Sequence, residues 1–401
     1  MARRFFDFEQ FNFQFQLGLG GVISGCGDIG EMLATADRIV DGDATSWCTE
    51  WIATADRVTA IADRCAGDGH PVSAREAYLR ASAYYAQALS AVDGTEDPEA
   101  LLQSTFRAHR RCFDDHVALL EPAGQRVEIP YEGTTMPGYF FTSPGSTGRH
   151  PTLVVNNGSD GPVTTLWPPL GAGAVTRGYN VLVFDGPGQQ SMLFERQVPF
   201  RYDWEAVITP VVDYLSARPD VDPERIALHG VSQGGYWVPR ALAFEHRVAA
   251  GIADPGVCDA FEPWWQALPQ PLRDCLDAGD RHRFDKLMAA GMHQASAAEQ
   301  QNWAWRAKPY GKTSAYDVVT EARRYTLDGV VSQITTPMLI TDPEGEQFWP
   351  GQSRRLYDAL PGPKQLVGFT AAEGADRHCK PMARALLEQR IFDWLDETLT
   401  R

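Results

Sequence analysis

The sequence predicts an α/β protein whose doubly wound, mostly parallel sheet follows an N-terminal helical domain and is interrupted by a helical cap insertion. From Arg126 onward, short apolar runs alternate with helical stretches, as a doubly wound sheet requires. Before that point, apolar residues recur at helical spacing, as in Trp47-Trp51-Ala55-Val58-Ile61. Between residues 255 and 334 the alternation stops for about 80 residues. We therefore predict a helical domain over residues 1–122 and a sheet domain over residues 123–401, with the cap at about 255–334.

The helical domain opens with an unusually aromatic segment, which comprises Phe5, Phe6, Phe8, Phe11, Phe13 and Phe15. We expect this segment to pack against the sheet domain, with a substrate entrance or a subunit interface as alternatives. Further along, Ser73 and Glu76 have the spacing of a capping box for the helix that carries Tyr84 and Tyr85.

The sheet domain is predicted to open with an antiparallel pair of strands. The predicted strands, in chain order, are 126–129, 136–141, 152–156, 180–184, 225–229, 248–253, 337–341 and 365–369. A helix is predicted from about 204 to 217, and the last helix follows a loop that contains His378.

The motif with the clearest chemistry is Gly230-Val231-Ser232-Gln233-Gly234, which ends a predicted strand and begins a helix. A Gly-x-Ser-x-Gly turn in this setting holds its serine at positive φ, where side chains on the flanking glycines would collide. The turn presents the serine Oγ at the tip of the sheet and directs the Gln233 N–H towards a developing oxyanion. We predict that Ser232 is a nucleophile, with an ordinary glycine-rich turn as the alternative.

Enzymes that use this turn place an acid and then a histidine after the serine. His378 is the only histidine downstream of Ser232 in a loop that follows a predicted strand, so we predict that it is the general base. The acid is expected to orient the imidazole and to stabilise its charged form without taking the proton.

The choice of acid is open among four carboxylates. Glu346 is preferred because it lies four residues before Pro350, a register typical of such folds. Asp342 and Glu344 in the same loop are alternatives, as is Asp254 at the end of an earlier strand.

The second oxyanion donor is expected from the loop after strand 152–156, which reads Asn157-Gly158-Ser159-Asp160-Gly161. Its glycines allow the backbone to approach a substrate carbonyl, and we predict the Ser159 N–H as the donor. An ordinary Asn-Gly turn is the alternative. Asp160 is expected either to hold this loop through backbone hydrogen bonds or to face the substrate.

Aromatic residues point to an apolar pocket. The cap carries Trp264, Trp265, Trp303 and Trp305, of which at least half are expected to pack the cap itself. The others are expected to line the pocket, with Trp264 and Trp265 as the predicted substrate contacts. Adjacent helical residues point about 100° apart, so at most one of Tyr84 and Tyr85 is expected to face the substrate, and Tyr84 is preferred.

Several sequence blocks together resemble the α/β-hydrolase superfamily, in particular the subgroup that holds 2,6-dihydroxypseudooxynicotine hydrolase and the fungal yellowish-green polyketide-shortening hydrolases. The blocks are Asn157-Gly158-Ser159-Asp160-Gly161, Phe184-Asp185-Gly186-Pro187-Gly188-Gln189, the serine turn, the loop 342–350, Gly374-Ala375-Asp376-Arg377-His378-Cys379 and the helical stretch 73–85. The resemblance implies an α/β-hydrolase fold, C–C bond hydrolysis, and an N-terminal domain that closes the active site and forms dimers. The chain departs from these relatives at Asn157 and Ser159, where Gly and an aromatic residue are more usual, and at Glu346, where many hydrolases have Asp.

Composition limits the partners. A hydrophobic content of 44% supports a large core, and a net charge of −16 argues against nucleic acid or an anionic membrane surface. No apolar run approaches the ~18 residues of a membrane span. The seven cysteines have neither paired nor metal-ligand spacing, which favours reduced thiols in the cytoplasm. We expect no cofactor and no metal, a small-molecule substrate and a homodimer.

The residues together predict a serine hydrolase that cleaves a C–C or ester bond of a small aromatic or polyketide-like carbonyl compound through an acyl-enzyme. An acyltransferase, a cyclase or a thioesterase-like enzyme with the same three residues is the alternative. A second alternative is a binding protein with the same fold and no catalytic activity.

Overall fold

The computed structural model describes residues 4–145 and 148–400, and within them one eight-stranded sheet has the order β1-β2-β4-β3-β5-β6-β7-β8. The strands are β1 Gln125–Tyr131, β2 Thr134–Phe141, β3 His150–Asn156, β4 Asn180–Phe184, β5 Val221–Val231, β6 Ala250–Asp254, β7 Met338–Pro343 and β8 Lys364–Phe369. Strand β2 pairs antiparallel with both β1 and β4, and every pairing from β4 to β8 is parallel. The predicted doubly wound, mostly parallel sheet of an α/β-hydrolase fold is therefore confirmed.

The central strands are buried on both faces. All residues of β4 and β6 are buried, as the near-continuous apolar runs of a covered parallel sheet require. The helices beside the strands are α6 Ala172–Thr176, α7 Gln190–Phe194, α8 Glu205–Ser216, α9 Gly234–Leu242, α15 Gln352–Ala359 and α16 Arg384–Leu399. Their apolar faces and the two sheet faces form two core layers, one around Trp204 and Trp237 and one around Trp167 and Phe392.

The chain before the sheet is helical. Its helices are α1 Glu9–Gly21, α2 Ile29–Ala36, α3 Ala44–Gly67, α4 Pro71–Leu89 and α5 Pro98–Ala118. A third core cluster contains Phe6, Phe11 and Phe15 of the aromatic segment together with Trp47 and Trp51 of α3. The helices contact the sheet through the Phe113 ring on Tyr139 of β2 (centroids 4.9 Å apart).

The predicted capping box in this region is wrong. Helix α4 begins at Pro71, so Ser73 lies inside its first turn, and the N-cap His70 makes no side-chain capping bond. Proline is favoured at the first helical position because its missing N–H would have no intrahelical partner there, and this signal outweighs the Ser73–Glu76 spacing.

The insertion between β6 and β7 is mainly helical. Its helices are α10 Glu262–Ala267, α11 Gln270–Ala278, α12 Arg281–Gln294, α13 Ala297–Ala307 and α14 Ala315–Ala322. It joins the core of the sheet through Tyr310, which packs edge-on against Tyr325 and Phe200. Among the described residues, no helix has the length and hydropathy that crossing a membrane requires.

Candidate active site

Ser232 stands in a sharp turn between β5 and α9. Its φ of 57° is the left-handed conformation that the sequence predicts for this position. A Cβ atom on Gly230 would lie 2.1 Å from the Gly234 carbonyl oxygen, so the turn cannot close with any larger residue there. The Ser232 N–H donates to the Asp254 carbonyl at the end of β6 (2.7 Å), which fixes the turn to the neighbouring strand.

Three predicted residues lie in hydrogen-bond contact. The Ser232 Oγ is 2.9 Å from the His378 Nε2, and the His378 Nδ1 is 2.9 Å from each oxygen of the Glu346 carboxylate. The His378 and Glu346 side chains are each 5% exposed, so water competes little for these bonds. The carboxylate also accepts from the Phe348 and Trp349 N–H groups, which holds it in place.

The charged forms of Glu346 and His378 stabilise each other. Burial lowers the pKa of the His378 imidazole, but the Cys379 sulfur and the Glu346 carboxylate raise this pKa by more, and the net shift is upward. Burial raises the pKa of Glu346, whereas the charge of His378 and the hydrogen bonds lower it by more, and the net shift is downward. Glu346 therefore stays ionised and favours a charged imidazole, which is what the acid of such a triad supplies.

The other three carboxylates considered from the sequence serve elsewhere. Glu344 accepts a bond from the Ala371 N–H (2.9 Å) and is exposed. Asp342 is half-buried beside the charges of Arg354 and Lys380, and burial raises its pKa. Asp254 is fully buried and bonds to Lys380 and Thr341 rather than to His378.

The Asp254–Lys380 pair is a feature that the sequence analysis missed. Both side chains have no exposure, and the Thr341 hydroxyl bonds to both, 2.7 Å from each. Burial raises the pKa of Asp254, but Lys380 and His229 together lower it by more, and the net shift is downward. Lys380 lies two residues after His378 and has a positive φ of 47°. Because its ammonium bonds to Asp254 of β6 and to Thr341 of β7, the ion pair fixes the histidine loop to these two strands. No spacing motif marks such a pair.

The loop after β3 lies against the serine. A Cβ on Gly158 would be 2.7 Å from the Ser232 Cβ, so the close approach needs glycine. The Gly158 N–H donates to the Asn157 Oδ1 (2.8 Å), and the Gln189 Nε2 donates to the carbonyls of both residues (3.0 and 2.8 Å). Ser159, one of the two predicted oxyanion donors, lines the same cavity as Ser232, and so does Gln233, the other.

A cavity of about 590 Å³ adjoins these residues, a size typical of small-molecule sites. Asp160, Tyr84 and Trp264 line it, while Trp265 is not among its lining residues and packs instead between Arg273 and Arg323. Tyr84 donates to the Glu31 carboxylate (2.7 Å), and Tyr85, which is buried, to Asp56.

The roof of the cavity joins the helical N-terminal region and the cap. The Trp305 Nε1 of α13 donates to the Asp160 Oδ2 (2.9 Å), so Asp160 connects the loop after β3 to the cap. Phe13 of α1 lies 5.9 Å from Phe348 and 6.5 Å from His378 between ring centroids. Phe11 and Phe15 of the aromatic segment pack on Trp47 and Trp51 inside the helical N-terminal region and not against the sheet domain, whereas Phe13 lines the cavity.

Comparison with known proteins agrees with this architecture. The model of the alpha/beta hydrolase family matches residues 153–396. The chain is 34% identical to hydrolase LUC6 from Fusarium sp. over 412 residues, which cover 97% of this chain and 96% of that protein. It is 31% identical to 20-hydroxy-prefusarin hydrolase FUS2 from Gibberella moniliformis, with coverage of 97% and 96%. The crystal structure of 2,6-dihydroxy-pseudo-oxynicotine hydrolase superposes with a TM-score of 0.75, 21% identity and 95% coverage of both chains. The protein belongs to the alpha/beta hydrolase family.

Proposed function

For this member of the alpha/beta hydrolase family, we propose a serine hydrolase that forms an acyl-enzyme on Ser232 from a small carbonyl compound. The observation that carries the proposal is the chain of bonds from the Ser232 Oγ through the His378 ring to the Glu346 carboxylate, at the wall of a largely apolar cavity. A nucleophile held by a base, which is itself held by a third group, is the recognised arrangement for nucleophilic catalysis.

The first half of the proposed reaction forms the acyl-enzyme. The Ser232 Oγ attacks the substrate carbonyl while the His378 Nε2 accepts its proton, and Glu346 stabilises the resulting imidazolium. The N–H groups of Gln233 and Ser159 donate to the oxyanion. The Gly158 N–H is engaged by the Asn157 side chain, which favours Ser159 as the donor from that loop. One donor of this kind contributes about 3 kcal/mol to the transition state.

The second half releases the leaving group and hydrolyses the acyl-enzyme. The imidazolium gives its proton to the leaving atom, and the neutral ring then activates a water that attacks the acyl carbon. For an ester the leaving atom is an alkoxide oxygen. For a C–C bond it is a carbanion, which must be stabilised as an enolate or a phenolate before protonation. We favour C–C over ester cleavage, as the family resemblance implies. A relative and a fold neighbour that are named as hydrolases of small organic compounds support a small organic substrate.

The experiment is fluorophosphonate labelling followed by product analysis in ¹⁸O-labelled water. Wild-type protein should be labelled, Ser232→Ala should not, and Ser90→Ala, which changes another serine that lines the cavity, should be labelled like wild type. One ¹⁸O atom in the acid product indicates hydrolysis, whereas an unlabelled ester or ring product indicates the acyltransferase or cyclase alternative. Labelling of Ser232→Ala at the wild-type rate contradicts the proposal.

We also propose that the substrate is small and enclosed. The cavity is roofed by α1 and the cap, which leaves little room for an extended chain. Aryl and short-chain acyl substrates should be cleaved, and truncation of Trp264 or Trp305 should lower this activity. Efficient cleavage of polypeptides or of triglyceride emulsions contradicts an enclosed site.

We further propose a cytoplasmic homodimer that associates through the helical N-terminal region. Large exposed apolar side chains concentrate there, namely Ile23, Ile29, Leu33, Val40 and Val72. All seven cysteines are free thiols, which is consistent with a reducing compartment. Sedimentation velocity should show a dimer that Ile29→Asp dissociates, and a wild-type monomer at micromolar concentration refutes the association.

A further inference from the structure

A buried arginine faces the cavity without a partner. Arg384 is the first residue of α16, its residue exposure is 5%, and it lines the same cavity as Ser232. Its Nη1 is buried without a hydrogen-bond partner, and within residues 4–145 and 148–400 no carboxylate stands within ion-pair distance of its guanidinium. A guanidinium cannot lose its charge, so this arrangement is unfavourable unless something else supplies the acceptor.

Other well-buried arginines of the described chain have their own carboxylates. Arg110, Arg218 and Arg240 have side-chain exposures of 14%, 16% and 13%, and they pair with Asp185, Asp220 and Glu205 at 2.8 to 3.0 Å. The fold therefore supplies a counter-charge where an arginine has only a structural purpose. Arg384 departs from this pattern, and it does so at the cavity that also holds Ser232.

The acidic residues near Arg384 do not neutralise it. Glu388 lies one turn further along α16 without forming an ion pair with Arg384, and burial raises its pKa to about 7 although Arg384 and Arg177 lower it, which disfavours its charged form. The acidic side chains that line the cavity have partners of their own. Glu9 pairs with Arg377, Asp160 accepts from Trp305, and Glu299 belongs to a capping box with Ser296.

The helix adds to the attraction for an anion. α16 has 16 residues, and its N-cap Ala383 has no side-chain oxygen to satisfy the first N–H groups. The N-terminal end of a helix carries a partial positive charge that favours anions. The charge of Arg384 and the helix end therefore act in the same direction.

We propose that Arg384 binds a carboxylate of the substrate, so that this enzyme takes acyl compounds that carry a free carboxylate in addition to the scissile bond. The assignment rests on the proposed serine hydrolase function. Two parallel N–H···O bonds from the guanidinium match the geometry of a carboxylate. An ester or amide in the same place leaves the guanidinium charge unneutralised, so such analogues are rejected.

Calorimetric titration tests the assignment without turnover. The probes are ω-phenylalkanoates from phenylacetate to 6-phenylhexanoate, each compared with its primary amide. At least one acid should bind wild-type protein and Ser232→Ala ten-fold or more tightly than its amide. Arg384→Met should remove this preference, and Arg384→Lys should retain part of it. The control Arg390→Met changes an arginine of the same helix that pairs with Glu373, and the preference should remain.

Stability separates a binding residue from a structural one. Because Arg384 is unpaired, Arg384→Met should unfold at a denaturant concentration equal to or above that of wild type. A lower midpoint indicates a structural partner and overturns the assignment. Equal binding of acids and amides to wild type, including no measurable binding of the whole series, also overturns it. If the preference persists while fluorophosphonate fails to label Ser232, the proposed hydrolase function fails and the carboxylate site stands.

Discussion

Replacement of Glu346 by glutamine tests the proposed triad at its third member. In wild type both carboxylate oxygens lie 2.9 Å from the His378 Nδ1, so this nitrogen carries the proton and Nε2 is left free to accept from Ser232. A glutamine presents an NH₂ group as well as an oxygen. Where the NH₂ faces Nδ1, the proton moves to Nε2, and the ring can no longer act as a base towards Ser232.

The expected loss is large because the pair is buried. An acid-to-amide change in an equivalent triad lowers kcat by ~10⁴, which corresponds to about 5.4 kcal/mol. The side chains of Glu346 and His378 are each 5% exposed, so solvent cannot replace the lost interaction. The same loop offers two matched controls, Asp342→Asn and Glu344→Gln, which should each retain activity within ~3-fold because neither carboxylate contacts His378.

The assay is steady-state hydrolysis of an aryl acetate, with the rate of fluorophosphonate labelling as a second readout. Both rates should fall in Glu346→Gln while the far-ultraviolet circular dichroism stays unchanged. Turnover within ten-fold of wild type refutes the reasoning, and a large loss in a control variant assigns the acid to that residue instead.

Three further predictions follow from the same contacts. The reaction needs neutral His378, whose pKa is raised overall, so kcat/KM should increase with pH with a midpoint above 6.5. Glu346→Gln should move the midpoint of the residual activity to lower pH. A midpoint below 6.5 in wild type contradicts this prediction. Lys380→Met leaves the Asp254 charge buried and should cost about 3–5 kcal/mol in denaturant unfolding, of which Asp254→Asn in the same chain should restore part. The pKa of Asp254 is below its unfolded value, so this stabilisation is present at neutral pH and is lost as the pH falls below about 4; equal stability of Lys380→Met and wild type refutes the role. Removal of residues 1–122 should expose the apolar surface around Tyr139 and Phe141 and cause aggregation in size-exclusion chromatography, whereas a soluble, monomeric, active fragment from Ala123 onward contradicts it.

The sheet was predictable because its signals are local. Each parallel strand is a short apolar run, and burial on both faces requires such runs whatever lies around them. Strand β4 has the predicted bounds. The strand that leads to Ser232 was predicted too short by four residues at its start, where Asp222, Pro223 and Glu224 are residues that strands disfavour, and by two at its end. The start of α4 was predicted wrongly because two cap signals competed and Pro71 prevailed over Ser73.

The residues around the site were predictable only where a motif ties them to one another. The Ser232 turn has a fixed spacing, and His378 and Glu346 follow from chain order and loop position. Lys380 and Arg384 have no such signal, since an arginine at the start of a helix is ordinary in any sequence. What distinguishes Arg384 is that no carboxylate among the described residues forms an ion pair with it, and this can be seen only once the chain is folded.

The loop that carries His378 is held both by the sheet and by helix α1 of the N-terminal region. On the side of the sheet, Lys380 fixes the loop through its ion pair with Asp254 of β6. On the side of the N-terminal region, Arg377 of the loop pairs with Glu9 of α1 at 2.8 Å. The contacts of α1 with this loop also include the Phe13 ring near His378 and the close approach of Gly20 to the Pro381 carbonyl. A Cβ on Gly20 would lie 1.5 Å from that oxygen, so the helix could not keep this position with any other residue there. Since α1 contacts the histidine loop and also lines the cavity, any shift of α1 that admits a substrate must alter the support of His378 as well.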